Sequence, residues 1–167
     1  FIDFPSHDLR DMAYRLVQHI VAENYSSIVI LPGCYPFISS LPPYLPRTIR
    51  CIARMPHNAR GVYWPTAVMA EYFQRIIAVG PRLQHDLVSK YGVSASKVEV
   101  IANGVDTEYF LPGNCATAHR AIFVGRIEDV QKNVFLLPKI LSRARAHDES
   151  AHLTIVGDGP DLDPLAK

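Results

Sequence analysis

Between Glu23 and Glu71 this chain carries no acidic residue, yet Arg47, Arg50, Arg54 and Arg60 all fall in that stretch. Such a strip suits an anionic ligand or an acidic membrane surface, and equally a solvated, loop-rich face. Over the whole chain neither sign is in excess: 17 lysines and arginines stand against 16 acids. No basic field therefore speaks for nucleic acid. Cysteine is scarce. Cys34, Cys51 and Cys115 are odd in number, widely spaced and in no Cys-x-x-Cys pair, which argues against a disulfide framework or a zinc site and fits a reducing compartment. Apolar runs stop after a few residues, well short of the roughly 20 that span a bilayer. No signal-peptide pattern is present. The chain opens on Phe1 rather than Met and stops just after a helix begins, so it reads as a piece of a longer protein.

What is present points to an ordinary globular interior. Leu9, Met12, Ala13, Leu16, Val17, Ile20 and Val21 recur at helical spacing, with Ser6 placed to cap the start. Residues 28–31 read as a short buried strand, stopped by Pro32-Gly33. A proline-dense loop (Pro36, Pro42, Pro43, Pro46) leads to a strand over 48–53, a helix over 66–74 and a strand over 76–79. Pro81 then opens a helix that ends near Tyr91-Gly92, and a strand follows over 97–101. After a polar pause at 111–119 the rhythm resumes, with strands over 121–124 and 153–156. A helix over 134–146 lies between them, and a last one starts near Asp161. This alternation predicts an α/β fold with parallel sheets and helices on both faces. The pause predicts two incomplete domains, 1–112 and 120–167, joined by a linker over 113–119.

The second segment carries the chemistry. A buried strand ends in Gly125-Arg126, and Lys132 stands beside Asn133 at the expected start of a helix. Open α/β sheets bind ligands at the carboxyl ends of their strands. Two cations there, beside helix N–H groups, would receive a diphosphate. Solvated surface charge is the plainer account of the same two residues. Gly157-Asp158-Gly159 follows the next strand and resembles half of a dinucleotide fingerprint, but Leu162 occupies the third glycine position. A tight turn explains it as well. Asn103-Gly104 is first a backbone device tolerant of positive φ, with Asp106 placed to cap the turn after it.

Taken in order, Asn103-Gly104-Val105-Asp106, Val124-Gly125-Arg126, Lys132-Asn133 and Ile155-Val156-Gly157-Asp158-Gly159-Pro160 resemble the domain junction of the family-four glycosyltransferases. The resemblance covers roughly residues 76–167. It implies a GT-B-like fold in which two Rossmann-like domains face a cleft. The first segment would be the end of the acceptor-side domain and the second the start of the nucleotide-sugar-binding domain. It also implies retaining transfer of a sugar from a nucleoside-diphosphate-sugar donor to an acceptor hydroxyl, with no cofactor and no catalytic metal. Arg126, Lys132 and Gly125 would bind the donor diphosphate, and Gly157, Asp158 and Gly159 would lie near the nucleotide. His57, in Arg54-Met55-Pro56-His57-Asn58, matches a histidine that points at the donor sugar, and Arg54 and Asn103 are added as candidates. The acceptor (glycan, lipid or small molecule) is left open, as is a cytoplasmic place peripheral to the membrane.

Some positions depart from the family pattern. Ala102 stands where proline is usual, Gly80 where serine is frequent, and Pro138 interrupts the expected helix. The family's paired glutamates and N-terminal glycine-rich loop have no counterpart between Phe1 and Lys167, so the piece alone is expected to be inactive. A non-catalytic nucleotide-sugar-binding module, a sugar-nucleotide epimerase and a nicotinamide dehydrogenase remain as other readings.

Overall fold

Apolar residues at helix and strand spacing build two units, Phe1–Asp106 and Thr107–Lys167. The computed structural model describes residues 8–111, 113 and 119–166. In the first unit α1 (Leu9–Ala22) leads into β1 (Ser27–Ile30), α2 (Pro36–Ser39), β2 (Arg50–Met55) and α3 (Arg60–Val68). Then come β3 (Arg75–Ala78), α4 (Pro81–Tyr91) and β4 (Val98–Val100). The four strands pair in chain order, all parallel.

Every second residue of β2 is buried: Cys51, Ala53 and Met55. Ile30, Ala53, Ile76 and Val98 align across the strands as one buried row. Phe73, Leu83 and Leu87 join the same core, and each such side chain stabilises the fold by about 1.5–3 kcal/mol. At the end of α4, Gly92 takes a left-handed φ of 69°, and the Val93 N–H donates to the Leu87 carbonyl at 3.1 Å. A polar clasp ties α3 to α4. The Tyr63 hydroxyl donates to Asp86 at 3.2 Å, and Asp86 also holds Arg82 at 3.2 Å and Lys90 at 2.9 Å. The rings of Tyr63 and Tyr91 stack beside it, 5.1 Å between centroids.

The second unit is smaller. β5 (Arg120–Val124) is followed by α5 (Asp129–Lys132), α6 (Leu137–His147), β6 (His152–Val156) and α7 (Leu162–Leu165). β5 and β6 pair in parallel from Arg120 opposite His152 to Val124 opposite Val156. Among the described residues of this unit, Ile127, Val134 and Ala151 are the buried apolar ones.

Several sequence expectations change. Asp8, not Ser6, caps α1, its carboxylate accepting from the Arg10 N–H at 2.8 Å; Ser6 lies outside the described residues. The proline-dense loop contains α2 and a 3-10 turn over Pro42–Tyr44, both with proline in the first turn, where its missing N–H costs nothing. The helix expected over 66–74 starts earlier, at Arg60, because Val62, Tyr63 and Thr66 make one buried face that outweighs Gly61 and Pro65. Pro138 does not interrupt a helix. Residues 134–136 form a 3-10 turn and α6 starts at Leu137, which places Pro138 in its first turn. Most of the stretch read as a linker, with Cys115, lies outside the described residues. Among the described residues no helix is long and apolar enough to cross a membrane.

Candidate functional site

In the first unit the candidates follow the carboxyl ends of the strands. Arg54 is the penultimate residue of β2 and half-buried, His57 stands exposed just beyond that strand, and Asn103 lies exposed beyond β4. The structure brings two of the three together: Arg54 Nη2 donates to Asn103 Oδ1 at 2.6 Å. Neither Asn103 nor Gly104 takes the positive φ expected of a turn, and the chain makes none there; the Asn103 side chain instead fixes an arginine from another strand. A second close approach lies behind this edge. Gly33 has φ of 87°, and a Cβ on it would come within 2.6 Å of the Gly61 carbonyl oxygen. Pro65 has no N–H to offer that carbonyl, which leaves it facing the loop after β1.

In the second unit the loops after β5 and β6 are laced together. Gly125 donates to the Val156 carbonyl at 3.0 Å, Ile127 to Asp158 at 2.9 Å, and Asp161 back to Ile127 at 3.2 Å. The contact is between backbones. A Cβ on Gly157 would lie 1.9 Å from the Gly125 oxygen, and one on Gly159 would lie 2.1 Å from the Ile127 oxygen. Gly157 also has φ of 151°, a region open to glycine. The Gly-x-Gly is therefore required by close loop packing, a stronger demand than a tight turn alone. Asp158 turns its carboxylate onto the Gly159 N–H at 2.7 Å.

Arg126 projects from this pair of loops with its side chain 62% exposed, and its Nε lies 3.5 Å from Glu128 Oε2. That carboxylate oxygen is itself buried without a hydrogen-bond partner. Lys132 is exposed at the last position of α5, and Asn133 after it, left-handed with φ of 50°, is the N-cap residue of the 3-10 turn that runs on into α6. Lys132 thus stands just ahead of a helical start, as expected, and the Phe135 N–H of that start is already taken by Asp129 Oδ1 at 3.0 Å. The first N–H of α5, that of Asp129, is taken by the Asp161 carboxylate at 2.7 Å. Two exposed cations remain on the segment after β5, Arg126 on its loop and Lys132 at the end of α5, an arrangement able to hold a dianion through an arginine fork and an ammonium. Sequence reasoning missed Glu128, Asp129 and Asp161. The only signal was their acidity among the glycines, and the link between Asp129 and Asp161 spans 32 residues. Among the described residues no group of three histidines, cysteines or acids is placed to hold a metal ion.

Known proteins resemble this arrangement at several levels. Residues 54–109 match the family model Glycosyltransferase Family 4, a span that includes Arg54, His57 and Asn103. The D-inositol 3-phosphate glycosyltransferase of Kribbella flavida is 38% identical over 88 residues, which cover 47% of this chain and 20% of that protein. Among solved structures, a mutant of S. aureus TarM in complex with fondaparinux, alpha-GlcNAc-glycerol and UDP superposes with a TM-score of 0.68. It is 14% identical over 95% of this chain and 33% of its own. The GtfA/B complex follows with a TM-score of 0.65 and 14% identity, over 98% of this chain and 36% of the other. Accessory secretory protein 1,2 and 3 of Streptococcus pneumoniae gives 0.55 and 12%, over 95% and 37%. The chain thus spans a fifth of the curated relative and about a third of the solved ones.

Proposed function

We propose that the chain, with its GT-B-like fold, is part of a family-four glycosyltransferase, and that the intact protein moves a sugar from a nucleoside-diphosphate sugar to an acceptor hydroxyl with retention of configuration. The observation that carries this reading is the laced pair of loops after β5 and β6. Glycines there let two backbones touch, while Arg126 and Lys132 remain exposed on the same segment. UDP in the TarM complex supports a nucleoside diphosphate as the leaving group. The Kribbella relative supports a hydroxyl-bearing acceptor by its name.

In this mechanism the bond between the anomeric carbon and the diphosphate oxygen breaks while the acceptor oxygen approaches from the same face. The acceptor proton passes to the departing phosphate. Arg126 and Lys132 stabilise the growing negative charge on that phosphate, a role that needs no metal. His57 orients the sugar, whose ring carries cationic character as in glycoside hydrolysis. Gly157, Asp158 and Gly159 shape the floor beneath the nucleotide. Arg47, Arg50 and Arg60 are each exposed, the first two around the start of β2 and the third beyond its end, and contact of such charges with an acidic membrane surface would place the protein at the cytoplasmic face.

The test is a donor screen on the full-length protein with UDP-, GDP- and ADP-sugars, with and without EDTA, followed by NMR of the product's anomeric configuration. EDTA-resistant transfer with the donor's configuration kept is the expected result. Nucleotide binding without transfer or hydrolysis would instead make it a binding module, and an inverted product would sink the proposed mechanism.

A further inference from the structure

Lys132 sits on a helix too short to hold itself. α5 has 4 residues, and isolated helices below about 12–15 residues are marginal in water. Its position must therefore come from outside, and two carboxylates supply it. Asp161 occupies the N-cap position of α7 but makes no side-chain cap to that helix. Its Oδ2 instead accepts the N–H of Asp129, the first residue of α5, at 2.7 Å from 32 residues away. Asp129 in turn places Oδ1 on the Phe135 N–H at 3.0 Å, 6 residues along, closing the segment beyond Lys132. Inside this clamp Lys132 N–H donates to the Glu128 carbonyl at 2.9 Å and Asn133 N–H to that of Asp129 at 2.8 Å. Buried Ile127 and Val134 pin the two ends.

We propose that Asp161, acting through Asp129, is a positioning residue that presents the Lys132 ammonium to the leaving diphosphate. This rests on the donor role given to Lys132 above. An N-cap aspartate normally accepts from its own helix, so the choice of a neighbour's N–H points to a role beyond closing α7. The link also runs directly from the loop after β6 to the segment bearing the cation. A lysine stem has four rotatable carbons, so its ammonium is only as well placed as the backbone beneath it.

The experiment is calorimetric binding of UDP, GDP and ADP to the full-length protein at a temperature where every variant is folded. Four variants are compared: Lys132→Ala, Asp161→Ala, Asp161→Asn and the double variant K132A/D161A. Loss of positioning can cost as much as loss of contact, so D161A is expected to weaken the best-bound nucleotide about tenfold. D161N, which keeps an acceptor oxygen, should return to within about twofold of wild type. On the K132A background, D161A should add less than about twofold, because what it positions is already gone. Equal weakening on both backgrounds, no effect of D161A, or no rescue by D161N would each overturn the proposal while leaving Lys132's role intact. Normal binding by K132A, or no nucleotide bound by wild type, would remove the donor reading and this inference with it. Should D161A fail to fold, Asp129→Ala, which keeps the Asp161 bond and removes the Phe135 link, tests the second half of the clamp: weaker nucleotide binding that vanishes on the K132A background is expected, and unchanged binding would overturn the route through Asp129.

Discussion

Arg54 and Asn103 meet across 49 residues of chain, the guanidinium donating to the amide oxygen at 2.6 Å. The contact joins the ends of β2 and β4 over β3, which lies between them. It converts a strand residue and a loop residue into one fixed pair. Asn103→Ala should lower the unfolding free energy by about 0.5–1.5 kcal/mol, and Arg54→Ala by a similar amount. In urea titrations the double variant should lose less than the sum of the two. Strict additivity would show that the bond does not form in solution.

Arg126→Ala and Lys132→Ala bear on the chemistry. Removing one preorganised charge partner of a developing anion typically costs about 10²–10³ in turnover. Each variant is expected to fall in that range at saturating donor in the full-length enzyme. Near-normal turnover in both would remove the diphosphate role.

Gly157→Ala and Gly159→Ala should unfold the second unit or stop its soluble expression. Their new Cβ atoms would lie 1.9 and 2.1 Å from backbone oxygens, and strain of that kind costs at least about 1–3 kcal/mol. Gly104→Ala is the control, since nothing lies within 4 Å of its Cβ position. Comparable expression of all three would contradict the laced loops.

Asp86 sets an acid limit on the first unit. The hydrogen bond from Lys90, with those from Arg82 and Tyr63, outweighs burial and lowers its pKa from 3.8 to about 2. A depressed carboxylate stabilises the fold fully above its unfolded value and loses that contribution as pH falls through its folded one. The stability gap between wild type and Asp86→Asn should therefore be flat above about pH 5, narrow below 3.8 and vanish near 2. Urea midpoints taken across that window check it; a gap that widens on acidification would reverse the assignment.

Much of the fold was legible because local signals agreed. Each strand lies within about two residues of its sequence reading, since short apolar runs ended at Pro32-Gly33, Gly80-Pro81 or Gly125. Pro81 and Gly92 marked both ends of α4. Where local and tertiary demands disagreed, the reading slipped. Gly61 and Pro65 hid the start of α3, whose buried face only packing reveals, and the short α5 that ends on Lys132, just before the helical start at Val134, gave no periodic signal of its own. The candidate cations stand on exposed segments, as their polarity suggests. What holds them could not be read from spacing. Arg54 finds Asn103 and Asp129 finds Asp161 only after strands pair in parallel, and neither distance in the chain corresponds to a helix or strand period.

The contact of Gly157 and Gly159 with the opposite backbone also limits how this corner can diversify. Neither Gly157 nor Gly159 can gain a side chain without driving into the backbone of the loop after β5. Length variation in this unit is therefore pushed to the turn between α6 and β6. There the Ser150 hydroxyl and N–H both rest on Asp148, and Ser150 faces solvent. Random insertion libraries should recover folded protein there and none at the glycines. A graft or tag meant to leave the fold intact belongs at that turn.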